Sequence, residues 1–254
     1  MIRNKIKYML GGIITFCLLF VLIPTVASAE GPEAYDGDIY IKGGKYTIWD
    51  GPYEDWEQSE TWYDLNKDNP IKGTGQAINK NIYVLDRTEI YFDDLDLGTG
   101  GVYIHKDYWP EVPAPFAIRL LGGRLRTKEI KDPSYKFYEL VIGNDSDIYV
   151  EKDIVGSNLE FCGGKIEVGG NIRAVGIYAG DIETGQKSTL DVKVKGDVQL
   201  LRLRMKGGKI QIDGDLNVAY YEGAYDSQEA WEYGSEFNYI ISLHEAEFIT
   251  NDSE

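Results

Sequence analysis

Two stretches of this chain superpose without a gap. Leu159-Glu160-Phe161-Cys162-Gly163-Gly164-Lys165-Ile166-Glu167-Val168-Gly169-Gly170-Asn171-Ile172 lies 44 residues before Leu203-Arg204-Met205-Lys206-Gly207-Gly208-Lys209-Ile210-Gln211-Ile212-Asp213-Gly214-Asp215-Leu216. The same offset relates Ile148-Tyr149-Val150 to Val192-Lys193-Val194, and a weaker copy, Ile118 to Leu125, lies 41 residues upstream of the first stretch. Self-similarity at a fixed long period means that one supersecondary unit recurs and stacks on its neighbours. Inside each unit Ile148 leads Ile166, and Val192 leads Ile210, by 18 residues. The unit therefore reads as two turns, one of 18 residues and one of 26.

Within the copies, apolar residues fall on every second position. Leu201, Leu203 and Met205 alternate with Arg202, Arg204 and Lys206; Ile210 and Ile212 alternate with Gln211 and Asp213. Successive strand side chains point to opposite faces, so one face is core and the other meets water. Gly170-Asn171, Gly180-Asp181, Gly196-Asp197 and Gly214-Asp215 each precede an aliphatic residue. These pairs read as bends in which glycine supplies positive φ and the Asp or Asn side chain bonds its own turn. Sustained helical spacing is absent. The expected fold is all-β: a single-domain parallel β-solenoid, right-handed β-helix favoured, with an aromatic N-terminal cap. The alternative is an antiparallel β-sandwich. Ile166, Val168, Ile210 and Ile212 are expected to be buried in one column, with Val192 and Val194 in the equivalent strand one turn from Ile210.

The run Ile166-Glu-Val-Gly-Gly-Asn-Ile-Arg-Ala-Val-Gly-Ile-Tyr-Ala-Gly-Asp-Ile-Glu-Thr-Gly185 resembles the β-helical repeats of bactofilin-like polymer-forming proteins. It is also similar to the coils of secreted, pectin-lyase-like right-handed β-helices. The resemblance covers about residues 118–220 and rests on a degenerate pattern.

The N-terminus carries Arg3, Lys5 and Lys7, then an apolar stretch from Met9 to Ile23, then Pro24 and Val26-Ala27-Ser28-Ala29. That is the order of a secretory signal peptide, with cleavage expected between Ala29 and Glu30. The competing reading is an uncleaved membrane anchor, for which the stretch is short. Residues 1–29 are therefore read as signal peptide, 30–115 as aromatic-rich cap and first coils, 116–220 as repeat core and 221–254 as an acidic, Tyr-rich C-terminal cap or tail. Cys17 would leave with the signal peptide, so Cys162 would remain without an internal disulfide partner.

The full chain holds 26 basic and 42 acidic residues, a formal charge of −16. Loss of the three N-terminal basic residues would bring it to −19. Such a surface repels nucleic acid and anionic lipid, so neither nucleic acid nor, after cleavage, membrane is an expected partner.

Residues 45–63 interleave Trp49, Trp56 and Trp62 with Asp50, Glu54, Asp55, Glu57 and Glu60. With Trp109, these rings form a candidate carbohydrate platform, since a ring face packs on sugar C–H groups while carboxylates accept from hydroxyls. The simpler reading is a cap over the open end of the core.

Asp93, Asp94 and Asp96 precede a Gly-rich turn, and Asp145 and Asp147 form a second oxygen cluster, both candidate calcium ligands. Neither matches a full calcium-loop motif. Cys162 has no base assigned to it; His105 and His244 are the only histidines, too sparse for a metal cluster. No catalytic set emerges. The leading expectation is a non-catalytic secreted or cell-envelope scaffold or binding protein. Behind it stand an extracellular carbohydrate-binding module and a calcium-dependent polysaccharide lyase. The expected partner is an extracellular polysaccharide or cell-wall component.

Overall fold

The structure is a computed structural model and describes residues 32, 34–86, 88–104, 116–131, 138–142, 146–156, 158–180, 188–200, 202–218, 240–244 and 247–250. All of these fall within one unit, Gly31–Glu254. The signal-peptide and anchor readings therefore lie outside the described residues.

The fold is all-β, and its sheets are long and parallel. The strands fall into three ladders, which the chain visits in rotation. The first ladder contains Glu89–Asp93, Phe116–Gly122, Tyr138–Ile142, Asn158–Phe161 and Gly176–Ala179. The second contains Leu95–Asp96, Arg124–Thr127, Asp147–Val150, Lys165–Val168 and Ser188–Val194. The third contains Asp38–Lys42, Ile82–Val84, Val102–Ile104, Ile130–Lys131, Ile154–Val155, Ile172–Arg173, Val198–Leu200 and Leu216–Val218. The long strand Arg202–Ile212 runs through the first ladder and on into the second, which joins them into one 14-stranded sheet. Ile240–His244 and Glu247–Thr250 pair in parallel with its two halves.

Alternation makes these strands two-faced, and the apolar face is the core. In the second ladder Ile166 pairs with Val192, and Val192 with Ile210; Val168, Val194 and Ile212 follow in the same register. All six are fully buried. The column expected from the repeat is thus present, one strand per turn. In the third ladder the inward column runs Ile82, Val102, Ile130, Ile154, Ile172, Val198. β-branched side chains stack well on a pleated surface and lose little χ1 freedom there.

Three of the four expected bends work differently from the expectation; Gly180 has the expected positive φ, at 71°. Gly170, Gly196 and Gly214 do not have positive φ. A Cβ on Gly196 would sit 2.7 Å from the Gly170 carbonyl oxygen, and one on Gly214 at 2.7 Å from that of Gly196. Glycine is required because successive turns touch there. The neighbouring side chain does not close its own turn either. Asp153 Oδ1 accepts the Asn171 amide, Asn171 Oδ1 the Asp197 amide and Asp197 Oδ1 the Asp215 amide, at 2.8, 2.8 and 3.0 Å. These bonds reach across 18, 26 and 18 residues, the two turn lengths of the repeat. Positive φ marks the corners between first and second ladders, at Gly122, Gly164, Gly180, Gly207 and Gly208.

Among the described residues, antiparallel strand pairing is confined to the N-terminal edge. Lys45–Trp49 pairs with Asp38–Lys42 and with Tyr63–Asp64. The rings that join the main core there are tyrosines. Tyr46 is fully buried and stacks on Tyr63 at 5.1 Å; Tyr35 is buried beside them and donates its hydroxyl to the Lys72 carbonyl at 2.8 Å.

Candidate functional site

Trp56 belongs to a second, smaller cluster on the opposite side of the third ladder. Ile39 and Ile41 face the main core, so Tyr40 between them faces outward. The outward column continues in register to Tyr83 and Tyr103, whose rings stack on one another at 5.0 and 5.7 Å centroid separation. The short 3-10 helix Tyr53–Gln58 lays Trp56 flat on Tyr40, at 5.7 Å and 9°. Lys42 Nζ lies over the indole at 5.1 Å and reaches Glu57 at 3.0 Å.

This placement corrects the sugar-platform reading for Trp56. The ring is 1 % exposed, so it has no face to offer a ligand. Trp62 is half-buried and meets Trp56 edge-on at 73°, so the two rings do not share a plane. Trp49 is half-buried and donates Nε1–H to the Pro52 carbonyl at 2.9 Å. Trp109 lies outside the described residues.

The Tyr column ends in a polar triad. Glu129 is buried, accepts the Tyr103 hydroxyl at 2.8 Å, and pairs with Lys131 at 2.6 Å. Burial pushes the Glu129 carboxyl up, but these hydrogen bonds and the charges of Lys131 and Lys128 outweigh it and hold the group below its usual range. The Tyr103 hydroxyl is driven up by burial and by its bond to Glu129.

Three of the candidate calcium ligands have partners within the chain. Asp94 pairs with Arg124 Nη1 at 3.4 Å, and Asp147 approaches Arg124 Nε at 4.0 Å. Asp96 Oδ1 accepts the Gly98 amide at 2.8 Å and so closes its own turn. Asp93 is exposed, and Asp145 lies outside the described residues. Among the described residues no three side chains of metal-ligating type converge. His105 also lies outside, and only the backbone of His244 is described. Cys162 is half-buried, with Sγ 3.6 Å from Glu160 Oε1.

What these acids do line is a shallow groove of about 420 Å³ on the outward face of the second ladder. Arg124, Arg126, Asp94, Asp96, Asp147 and Tyr149 border it. Arg126 stacks over Tyr149 at 4.7 Å. Donors and acceptors of both charge signs beside an aromatic edge can bind a polyhydroxylated or zwitterionic ligand. Among the described residues that border the groove there is no serine, threonine, cysteine or histidine.

Sequence reasoning missed the Tyr40–Tyr83–Tyr103 stack and this groove. The tyrosines are separated by unequal stretches, so no period marks them. The groove had a signal: Asp147 and Asp191, and Lys165 and Lys209, are mates at the 44-residue offset.

Comparison of the chain with protein-family models, with curated proteins and with solved structures finds no match.

Proposed function

We propose that this protein is a non-catalytic, exported β-solenoid of the cell surface or extracellular space, a scaffold that binds through its outward faces. The observation that carries the reading is the rotation of strands through three parallel ladders around one apolar interior. A chain that returns to the same ladder after 18 or 26 residues between Ile148 and Leu216 wraps a common core there, whereas a sandwich of antiparallel sheets does not require in-register parallel neighbours. A right-handed sense is the one parallel crossovers adopt in most folds. An interior filled by aliphatic side chains leaves the outer faces for recognition, and repeat folds offer such faces as extended surfaces. The N-terminal Arg/Lys, apolar and small-residue pattern supports export. An extracellular polysaccharide or cell-wall component is the partner class that such outward faces suit.

The test is fractionation of producing cells, followed by retention of the purified protein on insoluble envelope polysaccharide. Export and retention without release of unsaturated or shortened sugar are expected. Retention in the cytoplasm, or turnover of the polysaccharide, would overturn the proposal.

A further inference from the structure

The outward face of the second ladder carries a column of alternating charge. The register places Arg124 beside Asp147, Asp147 beside Lys165, Lys165 beside Asp191, Asp191 beside Lys209, and Lys209 beside Glu247. Alternation within the chain has an evident reason, because like charges directly opposite one another in a sheet are destabilising. It has a second consequence. From Arg124 to Glu247 the column alternates and ends on opposite signs, so that stretch is complementary to its own reverse; Asp94, ion-paired to Arg124 at 3.4 Å, lies beyond it.

We propose that this face is a docking surface for a second copy of the chain, joined face to face about a two-fold axis parallel to the strands. Such an axis reverses the order of strands and keeps positions along them. Arg124 then meets Glu247 of the second copy, Asp147 meets Lys209, and Lys165 meets Asp191, each pair occurring twice as an isologous interface demands. In the adjacent outward column the same operation sets Glu167 against Lys193 and Tyr149 against Gln211.

Two further observations favour this occupant. Lys165 and Asp191 flank the axis, both are exposed, and among the described residues neither is engaged in an ion pair. The outer pairs are partly satisfied within the chain, Arg124–Asp147 at 4.0 Å and Lys209–Glu247 at 3.7 Å. Secondly, from Arg124 to Glu247 the column carries three cations against three anions, with Asp94 adding one anion at its end, while the whole chain carries −16. Self-repulsion between copies is weak on this face, and charge complementarity there sets register and partner choice.

Sedimentation of the naturally processed protein tests the proposal. The protein is expected to dimerise, and raising ionic strength from about 0.1 M to about 1 M, which shortens the screening length from about 10 Å to about 3 Å, should weaken the dimer at least about tenfold. Lys165→Glu sets a carboxylate against Asp191 of the second copy, and Asp191→Lys sets an ammonium group against Lys165 of the second copy. Each variant alone should be monomeric. Mixed one to one, they should recover a heterodimer, because each altered residue then meets its opposite. Circular dichroism of each variant checks that the fold is retained. A wild-type protein that stays monomeric at low salt would overturn the proposal, as would single variants that dimerise like wild type or a mixture that fails to recover.

Discussion

The side-chain oxygen of Asn171 accepts the backbone N–H of Asp197 at 2.8 Å across 26 residues of chain. Asn171 in turn donates its own amide to Asp153 Oδ1 at 2.8 Å. One residue per turn thus supplies both a donor and an acceptor at the entrance to the third ladder, where short strands leave part of the backbone unpaired. Replacement of Asn171 by alanine removes the acceptor and leaves the Asp197 amide unsatisfied, at a cost of about 1–3 kcal/mol. Asn171→Asp keeps an acceptor and should cost less. Urea denaturation of the two variants measures the difference, and equal stabilities would contradict the assignment.

Gly196→Ala separates close approach from backbone strain. The residue has no left-handed φ, so alanine fits its backbone and would stabilise an open site by about 0.4–1 kcal/mol. Here the new methyl meets the Gly170 carbonyl oxygen at 2.7 Å. The expected result is a loss of about 1–3 kcal/mol, as for overpacking. A rise in denaturation midpoint would show that the turns do not touch there.

Trp56→Ala removes a buried ring from the Tyr40 stack and is expected to cost about 3–5 kcal/mol. Its melting temperature should fall, and retention on polysaccharide, measured below that temperature, should be unchanged. Retention lost with an unmoved melt would return the tryptophan to a binding role.

Stability should fall at both ends of the pH scale. Glu129 has a carboxyl held below its usual range, so it stabilises the fold above the ordinary Glu value of about 4.3 and loses that contribution as pH drops. Glu129→Gln should flatten the acid limb. Burial pushes the hydroxyl of Tyr35 up to about 12 and raises those of Tyr40, Tyr46 and Tyr103 as well. Their contribution is complete below about pH 10, where unfolded tyrosine begins to ionise, and is lost as pH rises beyond it. Denaturant midpoints between about pH 3 and pH 12 check both limbs. A flat profile above about pH 10 would contradict the burial of these hydroxyls.

The repeat made the core legible. Ile166, Val192 and Ile210 follow from alternation and from the 18- and 26-residue turns, since a one-residue slip would turn every side chain to the wrong face. The reason for the bend glycines was not legible, because positive φ and close approach select the same residue. Trp56 was open to two readings for a related cause. An acidic aromatic segment has the same composition whether its rings face water or a tyrosine on a neighbouring strand, and only the outward position of Tyr40 decides between them.

The stacking of turns is the central claim, and a spin-label ruler along the second ladder tests it most directly. Nitroxide pairs would join Arg124 to Asp191, to Lys209 and to Glu247, with the labelled protein diluted in unlabelled protein so that only distances within one chain are read by double electron–electron resonance. Stacked parallel strands predict distances that grow by about 4.8 Å per strand, near about 14, 19 and 24 Å between backbones, whatever the length of chain between the labels. Distances that failed to increase in equal steps from Asp191 to Lys209 to Glu247 would contradict the stack.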